Sequence, residues 1–370
     1  MKTFLNAVLK FLALLAAGAL IAALPFSLIY HNTGEALFSP DVIQRVSKTV
    51  IVESDLVPGA LEFITNRRAE EISQEIEEEQ EGEQQLNLFY LIEGMEVEDW
   101  RNIRKELLTE EILRSWIDTT VSGMFEWLNS EQQVPAVRWD MGPVIARMSG
   151  QPGERVVSTF YNSLPDCTDL QMEEMQTEPG EPLPKVKMVE NLCKLSTFPH
   201  QEQIKVYQEI MGLATERIPP TYNLTTSWLL QEEGLTAPLA AKRDLREFRR
   251  STDLVLLVPL ILLFLILSLG VRSLAELGQW WGIPLMVGSL IAFITALLFR
   301  PLWTGLLSER MPEMIPATSV FYHELISASA RLVSEIFNPL RWQSFLILLI
   351  GIGLTAGGFV FRLGGAGRRE

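Results

Sequence analysis

Apolar and polar positions divide this chain into four long apolar segments and one large polar segment. The apolar segments cover residues 11–30, 254–271, 282–299 and 345–361. A helix needs about 20 predominantly apolar residues to cross a bilayer core of roughly 30 Å. The pattern therefore predicts four transmembrane helices, one before and three after the polar segment 31–253.

The polar segment has mainly helical periodicity, because its apolar residues recur every three or four positions. Strand signals are scarce, and one short extended piece is predicted at 135–139. In the helix that opens at Pro58, Leu61, Ile64 and Ile72 share one side. The predicted helices cover residues 42–52, a stretch from Pro58, and residues 98–108, 109–128, 141–148, 153–164 and 201–216. The fold class is therefore mainly α, with a large helical domain inserted after the first span.

Basic residues near the spans predict the orientation. With the N-terminus inside, Lys10, Arg272 and Arg362 are all cytoplasmic, as the positive-inside rule requires. The basic cluster at 242–250, which abuts the second span, would then be outside together with Arg310 and Arg341, and this speaks against the orientation. The predicted order is a cytoplasmic N-terminus (1–10), a first transmembrane helix (11–30), an extracytoplasmic domain (31–253), a second transmembrane helix (254–271), a cytoplasmic loop (272–281), a third transmembrane helix (282–299), an extracytoplasmic loop (300–344), a fourth transmembrane helix (345–361) and a cytoplasmic tail (362–370).

The first apolar segment also has features of a signal peptide, with small residues near position 23. Its apolar stretch is longer than the usual core of a signal peptide, which favours a retained anchor over a cleaved one. In either case the domain that follows is expected to be exported.

The chain has two cysteines, Cys167 and Cys193, and both lie in the polar segment. Cysteines in an extracytoplasmic domain can oxidise, and closing a loop of this length would stabilise the fold by roughly 3.5 kcal/mol. We therefore predict a disulfide bond, with two buried thiols as the alternative. The flanking sequences lack the spacing of a metal site.

Basic residues cluster just before the second span. They are Lys242, Arg243, Arg246, Arg249 and Arg250. Because no helix breaker follows them, we expect one long helix that emerges from the membrane with a basic collar at the lipid phosphates. Docking of an acidic partner is the alternative function of the collar.

The loop before the last span is too long for a simple turn. Pro301, Pro312 and Pro316 are expected to break its first half, and residues 318–337 form an amphipathic pattern. This helix would lie in the membrane interface or pack under the large domain, with a pore element as the less favoured alternative. In the last span, Gly353 and Gly357 match the GxxxG motif of close helix contacts.

Charge and motifs narrow the function classes. The net charge of −15 argues against nucleic acid as a partner, because nucleic acid requires a basic face. The three histidines are His31, His200 and His323, and their spacing does not suit metal binding. Glu-rich residues 70–83 are typical of a solvated helix end or linker, and a cation-binding face there would lack the usual Asp/Gly loop. We predict no cofactor, no metal site and no enzymatic activity.

The order of one span, a domain and three spans resembles the permeases of the macrolide-exporter and lipoprotein-releasing ABC class. In those permeases a substantial cytoplasmic segment between the second and third spans couples to an ATPase, whereas residues 272–279 here form only a short loop. The predicted function is therefore a non-enzymatic plasma-membrane protein whose extracytoplasmic domain binds, senses or scaffolds a partner. Besides the lipid bilayer, a protein partner or a second copy of the chain is expected. The alternative is a membrane subunit of a transporter or channel complex.

Overall fold

The chain is mainly helical in its computed structural model, which describes residues 2–78, 95–174, 188, 193–225 and 236–366. The helical content is 82%. Four helices are long and apolar enough to cross a membrane: Asn6–Leu37, Pro238–Gly270, Leu274–Arg310 and Val320–Arg362. The predictions of a mainly α fold and of four apolar helices are confirmed.

Most of the described residues lie in helices, and the two described strands are short. In chain order, the described elements are α1 (Lys2–Leu37), α2 (Pro40–Ser47), a π-helix (Lys48–Val52), α3 (Leu56–Glu78), α4 (Val97–Leu107), α5 (Glu110–Asn129), β1 (Arg138–Asp140), α6 (Gly142–Met148), α7 (Gln151–Ser163), α8 (Asp169–Glu174), α9 (His200–Glu216), β2 (Thr221–Asn223), α10 (Thr236–Leu254), α11 (Leu257–Gly270), α12 (Leu274–Arg310), a 3₁₀ turn (Met311–Glu313) and α13 (Val320–Ala366).

The chain folds into two compact units. The span unit contains residues 1–43, 236–310 and 327–370, and the polar unit contains residues 44–235 and 311–326. The predicted domain boundaries follow the apolar segments rather than these units, and they stay predictions.

One side of α1 lies in the core of the span unit. Leu20, Leu24 and Leu28 recur every four residues and share a buried cluster with Ile266 of α11 and Leu285 of α12. Large apolar side chains on the rest of α1 are exposed, namely Phe4, Phe11, Leu14, Leu15 and Phe26. An apolar helix with a packed side and an exposed apolar side is suited to a bilayer, where lipid tails cover the exposed residues.

Glycines allow α12 and α13 to approach closely. A Cβ atom on Gly351 would lie 2.7 Å from the backbone nitrogen of Met286, and one on Gly358 would lie 2.9 Å from the carbonyl oxygen of Ala275. Gly278, on the facing side of α12, would likewise meet the Cα atom of Gly358 at 2.8 Å. Only glycine fits at such a backbone contact.

The predicted glycine pair in the last span is not the one that makes this contact. A Cβ atom on Gly353 or Gly357 would meet no atom within 4 Å. Residues two positions apart on a helix point in nearly opposite directions, so Gly353 faces away when Gly351 faces α12. The GxxxG pair that packs is Gly278 and Gly282 on α12.

Proline residues affect helix continuity in two different ways. The long helix Pro238–Gly270 that leads into the second span was expected, and it has a two-residue turn at 255–256, because the ring of Pro259 would clash with the carbonyl four residues earlier in a regular helix. The expectation that Pro301 breaks the chain is wrong, because Pro301 lies inside α12, which continues to Arg310. The amphipathic segment and the last span together form the single helix α13, which has Pro339 in its interior.

The helices of the polar unit begin and end within a few residues of the predicted positions. α4, α5, α6, α7 and α9 correspond to the predicted helices at 98–108, 109–128, 141–148, 153–164 and 201–216. The extended piece is the strand β1, which pairs antiparallel with β2, so that Trp139 lies opposite Tyr222. The side chains from Arg68 to Glu78, the rest of the Glu-rich segment and most of the chain between the cysteines lie outside the described residues.

Candidate functional site

Cys167 and Cys193 are at disulfide distance in the polar unit, as predicted from the sequence. Their Cα atoms are 4.8 Å apart, and neither cysteine is free. Beside the bond, the Lys194 amide donates to the Pro165 carbonyl at 2.8 Å, and the Cys167 amide donates to the Lys194 carbonyl at 3.1 Å. The covalent link is therefore reinforced by backbone hydrogen bonds between the same two segments.

Gln203 ties the chain after this disulfide to α9. Its side chain is fully buried. The Leu195 amide donates to its Oε1 at 2.9 Å, while its Nε2 donates to the carbonyls of Leu195 and Phe198 at 2.8 and 3.0 Å. One amide side chain thus satisfies three backbone groups in a segment that has no regular secondary structure.

His200 belongs to the same structural cluster. Its Nδ1 is 2.6 Å from the hydroxyl of Tyr161, which is buried beside Tyr207. Burial raises the pKa of both tyrosines, most strongly that of Tyr207. In the part of the chain that the structure describes, no group of three or more His, Cys, Asp or Glu residues is arranged to hold a metal ion.

A cavity in the polar unit forms a groove beside α3, which we call the α3 groove. Its volume is about 780 Å³. Glu62, Phe63, Asn66 and Arg67 of α3 form one wall, and the other wall is formed by Pro312, Met314, Pro316, Thr318, Ser319 and Val320. The groove therefore joins side chains from distant parts of the sequence.

Close packing next to the groove fixes its two walls. A Cβ atom on Gly59 would lie 2.8 Å from the backbone nitrogen of Phe321, so the backbones approach where glycine leaves room. One turn further along α3, the Phe63 ring stacks on the Phe321 ring with centroids 5.5 Å apart. The Ser319 hydroxyl accepts a hydrogen bond from the Tyr322 amide at 3.1 Å and so caps the start of α13.

Two hydrogen-bond acceptors line the groove one helical turn apart. The Glu62 carboxylate accepts a hydrogen bond from the Val97 amide, but burial and then the charge of Glu96 raise its pKa. The Oδ1 atom of Asn66 is buried and has no hydrogen-bond partner among the described residues. Because a buried unpaired acceptor is unfavourable, the groove is chemically suited to a ligand that donates hydrogen bonds.

A smaller apolar recess of about 200 Å³ lies between the π-helix and α5. Trp116 and Trp139 stack at its edge with ring centroids 4.7 Å apart. The Trp116 indole donates to the Asp140 carbonyl at 3.1 Å, and the Trp139 indole donates to the Thr120 hydroxyl at 2.9 Å. The indole N–H groups are thus already paired, and the recess offers mainly hydrocarbon surface.

An ion pair fastens α4 to the chain before α3. The Arg101 guanidinium donates two hydrogen bonds to the Asp55 carboxylate, both at 2.9 Å, and holds the pKa of Asp55 below its usual range. Arg104 donates to the carbonyls of Ile51 and Ser54 at 3.2 and 2.9 Å. These contacts hold the end of the π-helix next to α4, whose first residue contacts Glu62.

The predicted basic collar lies on α10, and its members differ in exposure. Arg243, Arg246 and Arg250 are exposed, whereas Lys242 is buried with 6% of its surface accessible. The Arg249 guanidinium lies over the Phe38 ring at 5.9 Å. Three arginines of the collar are therefore exposed, while the buried Lys242 departs from the predicted pattern. The role of the collar itself stays a prediction.

The sequence does not indicate the α3 groove. On the first turns of α3, Leu61 and Ile64 are exposed while Pro58 and Thr65 are buried, so the apolar residues of the sequence do not mark the packed side. The Glu62 to Asn66 spacing places two acceptors on one side of a helix, which is too common a pattern to indicate a site.

No protein-family model, curated protein or solved structure matches this chain.

Proposed function

We propose that the chain is a multi-pass plasma-membrane protein whose polar unit lies on the extracytoplasmic side and binds or senses a partner without catalysing a reaction. The observation that carries this proposal is the α3 groove, which combines a large open volume with a buried acceptor that lacks a partner. Binding sites typically combine such a cavity with a few convergent polar groups.

The disulfide supports the proposed side of the membrane. Disulfide bonds form and persist in oxidising compartments outside the cytoplasm. The pair Cys167 and Cys193 therefore favours an exported polar unit. The positive-inside rule supports the same orientation, because it places Lys10, Arg272 and Arg362 in the cytoplasm.

The span unit gives less support to the alternative, a transporter or channel subunit. The buried hydroxyls of Ser289 and Ser344 donate to carbonyls of their own helices, and Thr355 does the same at 2.8 Å. These groups are satisfied locally, so they do not form a chain of open polar groups along which a solute could pass.

Co-purification of a groove variant tests the proposed binding role. Thr318 is exposed and lines the groove, whereas its neighbour Ala317 is exposed but does not line it. We would purify tagged full-length wild type, Thr318→Trp and the control Ala317→Trp in mild detergent from the native host. Quantitative and native mass spectrometry would then identify bound proteins and small molecules.

We expect a component at fixed stoichiometry with wild type and with Ala317→Trp, and its loss with Thr318→Trp. Recovery of the same components with all three proteins would contradict a binding role for the groove.

A further inference from the structure

We propose that the α3 groove binds a primary ammonium group, with Glu62 and Asn66 as the acceptors. This inference rests on the proposed binding role of the groove. It concerns the chemical class of the ligand, which nothing in the sequence indicates.

Asn66 supplies an acceptor that lacks a hydrogen bond. Its Oδ1 atom is buried in the groove wall and accepts no hydrogen bond from the described residues. Glu62 lies one turn earlier on the same side of α3, and one helical turn brings the two side chains within reach of a single small group. The carboxylate has two oxygens and more lone pairs than its bond from the Val97 amide uses.

The electrostatic environment of Glu62 favours a cation. Burial and the nearby Glu96 carboxylate both disfavour the negative charge on Glu62. A bound cation would offset both effects, whereas an anion would add repulsion and a neutral alcohol would leave the carboxylate uncompensated. Arg67 also lines the groove and is exposed, so the ammonium group is expected on the Glu62 side, away from that guanidinium.

The number of donors selects a primary ammonium. Such a group carries three N–H donors, which suffices for Glu62 and Asn66 together, whereas a quaternary ammonium carries none. Free amines and the ethanolamine headgroup of a phospholipid share this chemistry, and a cavity of about 780 Å³ has room for either.

The test uses full-length protein in phosphatidylcholine nanodiscs, with ethanolamine as the probe and choline at equal concentration as the control ligand. The thermal midpoint, followed by tryptophan fluorescence, is measured against ligand concentration. We expect a saturating rise with ethanolamine and a response to choline that is weaker by about tenfold or more in apparent affinity. Equal responses to the two ligands would overturn the proposal.

Variants separate binding from folding. Glu62→Gln keeps an acceptor for Val97 but removes the charge, and Asn66→Leu removes the buried acceptor without leaving a polar group unpaired. Each should weaken ethanolamine binding by about tenfold or more without lowering the thermal midpoint of the unliganded protein. The control Glu202→Gln, at an exposed position on α9, should bind as wild type does. Unchanged ethanolamine binding in Glu62→Gln would overturn the proposal.

A second lipid composition identifies the source of the ammonium group. If the lipid headgroup is the ligand, phosphatidylethanolamine nanodiscs raise the midpoint of wild type but not of Glu62→Gln. If a free amine is the ligand, the midpoint is the same in both lipids and ethanolamine still raises it. If ethanolamine does not raise the thermal midpoint in either lipid while Thr318→Trp still loses the partner, the ammonium inference is overturned. The binding role of the groove then still stands.

Discussion

The contact between Gln203 and the chain after the disulfide permits a quantitative prediction. Gln203→Ala removes three hydrogen bonds, each with a net value of about 1 kcal/mol. Leu195 is 2% exposed, so its amide and carbonyl would stay buried without partners. We therefore expect the free energy of unfolding of the polar unit to fall by roughly 3 kcal/mol, with loss of packing adding to this value.

For a unit of this size, such a loss corresponds to a fall of roughly 6–12 °C in the thermal midpoint. The assay is thermal unfolding of full-length protein in detergent, followed by near-UV circular dichroism. Gln201→Ala is the matched control, because Gln201 lies on the same helix and is exposed. A midpoint for Gln203→Ala within 1 or 2 °C of the control would refute the reasoning that this side chain holds residues 195–198.

Further predictions concern the disulfide, the helix contact and alkaline pH. Replacing Cys167 and Cys193 with serine should lower unfolding free energy by roughly 3.5 kcal/mol in urea titrations, and a value no different from wild type would contradict a stabilising link. Gly351→Leu should lower the thermal midpoint in detergent through a clash worth about 1–3 kcal/mol, whereas Gly353→Leu should not. Because the pKa of Tyr207 is raised in the folded state, the unfolded chain loses its phenolic proton first, and stability should fall above about pH 10. Tyr207→Phe should reduce this loss of stability at alkaline pH. If the stability of the variant depends on pH as that of wild type does, the pKa of Tyr207 is not its cause.

The sequence was sufficient to predict the four apolar helices and most helices of the polar unit. Four apolar runs match four long apolar helices, because only a helix satisfies its backbone across a bilayer. The effects of proline were harder to predict. A two-residue turn precedes Pro259, whereas Pro301 lies within a regular helix, and the local sequence does not distinguish these outcomes.

The candidate site could not be predicted, because tertiary packing creates it. Glu62 and Asn66 become neighbours of residues 312–320 only when Gly59 allows Phe321 to approach α3. The disulfide, in contrast, was predictable, since two cysteines permit a single pairing.

The central claim is that the polar unit faces an oxidising compartment, and thiol labelling on intact cells tests it most directly. Cys167 and Cys193 are the only cysteines in the sequence, so no background substitution is needed. A maleimide that cannot cross membranes would be added with and without a reductant that cannot cross them either. We expect labelling of intact cells only when the reductant is present. Labelling that requires cell lysis but no reductant would contradict it and place the polar unit in the cytoplasm.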